Sequence, residues 1–319
     1  MTLTKAFHNE PLSRHSSFRI GGTAKYFFLP KTIDDFIEAC LFSEENALGI
    51  IVIGLGTNVL FPDEGISDNV IISTKGMDEV HVLNGGRIKA GAGARLSKVA
   101  DIAQKEGLGG LAFAAGIPGT IGGAIAMNAG AYGSEIGKHV ESVTLLDFVM
   151  PEEKKFRPVF SEIPGNKMNF GYRTSKASEQ QLYVTDVTLI LESQDTTKIK
   201  EEMRQLNKRR QASQPLEYPS AGSFFKRPNG GFAGKLIEDA GLKGFSVGGA
   251  QVSEKHAGFI INKNNATAKD VTELMKLIQK KVLERSGILL EPEVKLFGGH
   301  SYADSHCYRH VRCGENHRS

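Results

Sequence analysis

Tryptophan is absent from this chain, cysteine occurs three times, and charge nearly cancels, with 39 Lys and Arg against 36 Asp and Glu for a formal +3. Two of the cysteines, Cys307 and Cys313, fall in the terminal tail, so no disulfide framework can be read. A reducing compartment is the expectation. The basic excess is too weak to argue for nucleic acid or a membrane surface. Lys208-Arg209-Arg210 reads as a solvated helix face. The N-terminal residues M-T-L-T-K-A-F-H-N-E hold no apolar core of signal-peptide length, which agrees with a cytoplasmic protein. There is no G-x-x-x-x-G-K-[ST] phosphate loop, no G-x-S-x-G elbow, no H-E-x-x-H and no carboxylate–histidine cluster. Phosphate-loop ATPases and serine hydrolases therefore have nothing to stand on, and no catalytic metal is expected.

Glycine, in contrast, is abundant, with 36 residues in the 319, and it concentrates in G-I-P-G-T-I-G-G-A-I-A-M-N-A-G-A-Y-G at 116–133. Glycine at such density serves a backbone that takes positive φ or approaches something closely. Runs of N–H groups free of Cβ make anion-binding concavities, and a helix start adds donors and a dipole. Ala124 to Met127 is the expected helix start, and a pyrophosphate or dinucleotide cradle is the first reading. Two others stand beside it. No charge occurs from Gly107 to Ser134, as in a transmembrane span, although Pro118, Thr120, Asn128 and the glycines interrupt the apolar run that a span needs. A tight structural crossing also uses such glycines. A second loop, Gly54-Leu55-Gly56-Thr57-Asn58-Val59-Leu60, fails the dinucleotide fingerprint because Val59 takes the third glycine position. Paired with 116–133, it still gives two amide-rich loops, as an extended dinucleotide requires.

The elements group into units. Ala24–Leu29 reads as a strand, Thr32 with Asp35 as a helix cap before Ile33, Phe36, Ile37, Cys40 and Leu41, and Gly49–Ile53 and Val70–Ser73 as strands. This first unit is α/β in pattern. Strands at 79–83 and 87–90, a helix through Leu96, Val99, Ala100 and Ala103 stopped by Gly107, and strands at 140–147 and 183–191 suggest α+β. The segment 151–165 is polar and reads as an excursion. Asp195 opens a charged helix with Ile199, Met203 and Leu206 inside, ending before Pro215, where the sequence breaks. Helices at 233–240 and 267–286 follow, then a terminal strand over 288–297 interrupted by Pro292. The expected units are 1–75, 76–194, 195–298 and a tail, 299–319. The tail holds His300, His306, Cys307, His310, Cys313 and His317 in no compact ligand spacing, and disorder is expected there.

Six segments carry a resemblance. Ser17-Phe18-Arg19-Ile20-Gly21-Gly22, the loop 54–60, the stretch 116–133, Tyr172-Arg173, P-S-A-G-S-F-F-K-R-P at 219–228 and E-P-E-V-K at 291–295 stand in one order. In that order and over residues 12 to 298, the chain resembles the UDP-N-acetylenolpyruvoylglucosamine reductase family, and Q-P-L-E-Y-P-S-A-G-S at 214–223 resembles its shorter, type II branch. The resemblance implies an α+β protein. It has the FAD-binding fold of the p-cresol methylhydroxylase and vanillyl-alcohol oxidase type in two subdomains (about residues 20–194), plus a C-terminal α+β substrate domain. FAD is expected to be noncovalent, since 54–60 contains neither His nor Cys. NADPH is the implied co-substrate, a UDP-sugar enolpyruvyl ether the substrate, and peptidoglycan precursor synthesis, with its links to cell shape and division, the setting. A monomer without nucleic-acid or membrane partners is expected.

By the same resemblance Arg173 meets the substrate carboxylate, Ser223 donates a proton, and Glu293 stabilises or protonates the intermediate. A planar, always-charged fork suits a carboxylate, and a glutamate that donates must be held protonated. Cofactor contacts are expected from Gly54, Leu55, Gly56, Thr57, Asn58 and Val59, and from Gly116, Ile117, Pro118, Gly119, Thr120, Gly122, Gly123 and Asn128, with Tyr132 as a further flavin neighbour; structural capping is the equal alternative for Asn128 and Tyr132. Substrate contacts are expected from Tyr172, Lys226 and Arg227. His256 is read as structural. Two departures stand out: Thr174-Ser175 runs into Lys176-Ala177-Ser178 where many relatives have a Phe, and Lys295 replaces a common Arg. A flavin oxidase of another substrate and a non-enzymatic nucleotide-binding module are the competing classes.

Overall fold

A computed structural model of the chain describes residues 6–149, 156–229 and 231–298. The first unit is a four-stranded sheet in the order Phe7–Pro11, Thr23–Phe28, Ile66–Ser73, Gly49–Ile53, with only the outermost pair, Phe7–Pro11 and Thr23–Phe28, antiparallel. The central parallel strands carry apolar runs, Ile50 to Ile53 and Val70 to Ile72, because both faces are covered there. Helix α1 (Ile33–Glu45) covers one of them with Phe36, Ala39 and Cys40. It starts as the sequence predicts: Thr32 Oγ accepts from the Asp35 amide at 3.1 Å, and Asp35 accepts from the Thr32 amide at 3.0 Å.

The second unit is a five-stranded antiparallel sheet in the order Arg157–Pro164, Val140–Val149, Tyr183–Ile190, Arg87–Gly91, Val80–Leu83. Helices α2 (Leu96–Lys105) and α3 (Ile121–Ala126) pack onto it around Val99, Ile121, Ile125, Val143 and Val187. Two sequence expectations change here. The polar segment before Gly165 is not an excursion throughout, since Arg157–Pro164 forms an edge strand paired along its length with Val140–Val149. It is exposed on both faces, so no apolar alternation announces it, and its prolines sit where an edge tolerates them. Helix α3 begins at Ile121, not Ala124, because Thr120 caps it by accepting from the Gly123 amide at 3.3 Å. Six residues of helix cannot cross a bilayer, and no helix among the described residues is long and apolar enough to do so.

The short helix α4 (Lys176–Glu179) and the long α5 (Thr196–Ser213) follow, the latter capped by Asp195 as expected. Met203 and Leu206 of α5 pack on the second unit's core, although the expected unit 195–298 groups the helix with what comes after. The third unit is an antiparallel sheet in the order Ser220–Ser223, Phe259–Asn262, Ala250–Val252, Ser246–Val247. Helices α6 (Ala233–Asp239) and α7 (Ala268–Ser286) cover it. Its core also takes Phe18, Ile20 and Leu60 from the start of the chain.

The terminal strand is far shorter than the expected 288–297. Only Lys295–Leu296 pairs, in parallel, with Val59–Leu60, and Pro292 makes a single bridge to Phe225. Pro292 has no N–H for a ladder. The apolar residues Ile288, Leu290 and Val294 instead fill the third core. The His- and Cys-rich tail, 299–319, lies outside the described residues.

Candidate functional site

The two glycine-rich loops face each other. The Thr57 hydroxyl donates to the Pro118 carbonyl at 2.7 Å, and a Cβ at Gly54 would collide with the Thr120 hydroxyl. Gly56 has φ +65°, and a Cβ there would strike the carbonyl of His15. The first loop thus needs glycine at 54 to approach the second and at 56 to pass the His15 carbonyl. Among the described residues, the amides of Leu55, Gly56, Thr57 and Asn58, and those of Gly116, Gly119 and Thr120, donate to no backbone or side-chain acceptor. Two rows of unsatisfied donors across a close gap suit a pyrophosphate. Beside them opens a cavity of about 260 Å³ walled by Gly116, Pro118, Asn207, Arg210, Gln211 and Leu216. Burial lowers the Arg210 pKa.

Not every expected cofactor contact points into this gap. Val59 is a core residue paired with Lys295. Ile117 packs on the second core, and Gly122 lies against Ala92. Thr120 spends its hydroxyl on the α3 cap, which leaves its amide for a ligand. Tyr132 donates its hydroxyl to the Leu206 carbonyl at 3.3 Å, with the Arg209 guanidinium over its ring. Both amide atoms of Asn128 are taken by backbone groups.

The chemistry-bearing residues gather where the three units meet. Arg173 has φ +60° in a tight turn in which Gly171 and Thr174 exchange backbone bonds at 3.1 and 3.4 Å. Its Nε–H donates to Glu293 Oε1 at 2.7 Å. Glu293 is held in turn by its amide, which donates to the Phe224 carbonyl at 2.8 Å, directly after Ser223. Asn58 of the first loop donates its side-chain amide to the Glu293 carbonyl at 3.1 Å. Ser223, Glu293 and Arg173 are thereby tied to the glycine loop, and Ser223 is exposed on its strand. Burial pushes the Glu293 pKa up, and the opposing pull of Arg173 and Lys226 does not overcome it. A carboxyl held closer to neutral beside a guanidinium can accept on one oxygen and carry a proton on the other.

Tyr172 is exposed, lies against the Arg173 guanidinium, and accepts the Arg227 amide at 2.9 Å through its hydroxyl. Lys226 pairs with Glu291 at 3.2 Å and the Arg227 guanidinium sits over the Phe232 ring, so these two cations face different partners. His256 accepts from the Gly258 amide at 3.1 Å, a structural duty as read from sequence. Lys295 donates its amide to the Asn58 carbonyl at 3.0 Å. Sequence reasoning placed Asn58 only as a cofactor contact and missed its grip on Glu293, since a contact 235 positions away has no local signal. Among the described residues no group of three or more His, Cys, Asp or Glu could hold a metal.

Comparisons with known proteins fit this arrangement. The model of an FAD binding domain matches residues 24–155, and that of the UDP-N-acetylenolpyruvoylglucosamine reductase C-terminal domain matches 214–297. A UDP-N-acetylenolpyruvoylglucosamine reductase from Caldanaerobacter subterraneus is 46% identical over 294 residues, covering 92% of this chain and 94% of the relative. One from Caldicellulosiruptor bescii is 45% identical over 91% of this chain and 90% of its own. The crystal structure of the Thermus caldophilus reductase superposes with a TM-score of 0.74 at 31% identity, over 92% of this chain and 98% of that one. The expected α+β fold, an FAD-binding region followed by a C-terminal α+β domain, is the one observed. With identity of this level across nine-tenths of its length, the chain belongs to the UDP-N-acetylenolpyruvoylglucosamine reductase family.

Proposed function

We propose that the chain reduces the enolpyruvyl ether of UDP-N-acetylglucosamine to the lactyl ether of UDP-N-acetylmuramate, a cytoplasmic step in peptidoglycan precursor synthesis. The single observation that carries this reading is the Arg173–Glu293 contact, pinned through Asn58 to a glycine loop. FAD fits the residues present: the free amides at 55–58, 116, 119 and 120 suit its pyrophosphate. Neither His nor Cys occurs in 54–60 to attach it covalently. When bound, FAD supplies a hydride that NADPH provides to it. Addition of that hydride to the terminal vinyl carbon puts the electron pair of the double bond on the substrate as an enolate. The Arg173 guanidinium holds the carboxylate onto which this charge spreads. Glu293 stabilises the same charge while its proton is retained, and the Ser223 hydroxyl gives a proton to the α-carbon.

The experiment starts from the visible spectrum of the isolated protein. The reading requires a flavin spectrum, bleaching by NADPH, and return of colour on addition of the enolpyruvyl ether without oxygen. Ser223→Ala keeps the bleaching and loses the return. A colourless protein that takes up no FAD overturns the reading, as does a reduced protein that only oxygen reoxidises.

A further inference from the structure

The turn that presents Arg173 is fastened from behind by two buried side chains. Asn128 is 1% exposed; its Nδ2–H donates to the Gly171 carbonyl at 3.1 Å and its Oδ1 accepts the Gly137 amide at 3.0 Å. Because one neighbour is a carbonyl and the other an N–H, only one orientation of the amide satisfies both. On the other side of the turn, Ser175 is fully buried and its hydroxyl donates to the Ala126 carbonyl at 3.1 Å. Both fastenings reach the same place, the C-terminal end of α3, which closes the glycine-rich stretch.

The turn needs fastening. Arg173 at φ +60° occupies a left-handed conformation that is unfavourable for an ordinary side chain. Such conformations persist where the surroundings over-determine them. Within the turn the Gly171 carbonyl also accepts from Thr174, at a longish 3.4 Å, so the Asn128 bond is the shorter of its two. Asn128 itself has φ +43°, which Asn tolerates better than most residues.

We propose that Asn128 and Ser175 are positioning residues for Arg173, fixing the guanidinium relative to the cofactor helix rather than touching cofactor or substrate. The proposal rests on the function above. It assigns these residues to the half of the cycle in which the enolpyruvyl carboxylate is held, and to no part of flavin reduction. A displacement of about 1 Å at a clamp costs up to 10²-fold in rate.

The test uses full-length protein loaded with FAD, with Asn128→Asp and Ser175→Ala. Asn128→Asp keeps the shape but sets an oxygen against the Gly171 carbonyl. Rapid-mixing absorbance follows bleaching by NADPH and then reoxidation by the enolpyruvyl ether. We expect unchanged FAD content and bleaching rate, with reoxidation slowed about 10- to 100-fold and the half-saturating substrate concentration raised. In an Arg173→Ala background the same substitutions add less than about twofold, because residues acting through one group are not additive. Loss of FAD, equal slowing of both half-reactions, or full multiplication of the effects in that background overturns the proposal. Ser175→Ala carries the test if Asn128→Asp does not fold. Failure of the unsubstituted protein to be reoxidised by the ether overturns the functional reading and this proposal together, which sets that outcome apart.

Discussion

Arg173 and Glu293 stand 120 positions apart in sequence and meet at 2.7 Å, with a left-handed turn on one side and a largely buried carboxyl on the other. The guanidinium reaches Glu293 through Nε, which keeps its terminal nitrogens clear for the substrate carboxylate of the proposed reaction. Arg173→Lys retains the charge but loses the fork. Reoxidation of the reduced enzyme by the enolpyruvyl ether should fall by about 10²- to 10³-fold, with FAD content unchanged. Single-turnover absorbance measurements read both.

The raised Glu293 pKa gives a pH dependence of definite sign. Its neutral form persists to higher pH than that of an exposed glutamate, because burial outweighs the Arg173 and Lys226 charges. Reoxidation should be full at pH values below the folded pKa and decline as pH climbs through it. The stability contributed by the neutral carboxyl is complete below the ordinary glutamate range and is lost over the same rise. Glu293→Gln should remove this alkaline limb and lower the plateau. A pH–rate profile in which the limb survives the substitution would assign it to another group.

Gly54→Ala should push the two glycine-rich loops apart and so impair cofactor binding. The new methyl meets the Thr120 side chain across the gap between the loops. Overpacking of this kind costs about 1–3 kcal/mol, or roughly 5- to 150-fold in FAD affinity by fluorescence titration. Thr120→Ala, which removes the hydroxyl that the methyl strikes at the expense of the α3 cap, should restore part of it.

Asp270 is the third-residue partner of the α7 cap and accepts the Thr267 and Gly249 amides at 3.0 and 3.1 Å. Asp270→Ala should cost about 1 kcal/mol of stability in denaturant titrations near neutral pH. Backbone hydrogen bonds depress the Asp270 pKa, with that from Thr267 foremost. The stabilisation is therefore present above the ordinary aspartate range and is lost as pH falls through the depressed value. The difference between the two proteins should shrink accordingly in acid.

The capped helices α1, α5 and α7 were legible in sequence because Thr32, Asp195 and Thr267 act on backbone a few residues away. The edge strand Arg157–Pro164 was not, because a doubly exposed strand carries no period-two signal and is defined by a partner elsewhere. The same contrast holds within the site. The glycine loops announce themselves by composition, and Arg173, Ser223 and Glu293 through family resemblance. The roles of Asn58 and Asn128 depend on which carbonyl each amide meets, Glu293 for one and Gly171 for the other. A lone Asn after a glycine stretch reads equally well as ligand contact or as brace, and only coordinates separate the two.

Lys295–Leu296 lies in parallel beside Val59–Leu60, and the Lys295 amide holds the Asn58 carbonyl. For a ribosome this ordering matters. Gly54 to Leu60 emerges early, yet the strand that fastens it lies some 235 positions further along the chain. Phe18, Ile20 and Leu60 likewise wait for the helices and strands that bury them. Domains usually fold in the order in which they leave the tunnel. Here the loop at 54–60 gains its strand partner only once residues 295 and 296 have been made, so a coenzyme that needs this loop in place must wait for the third unit.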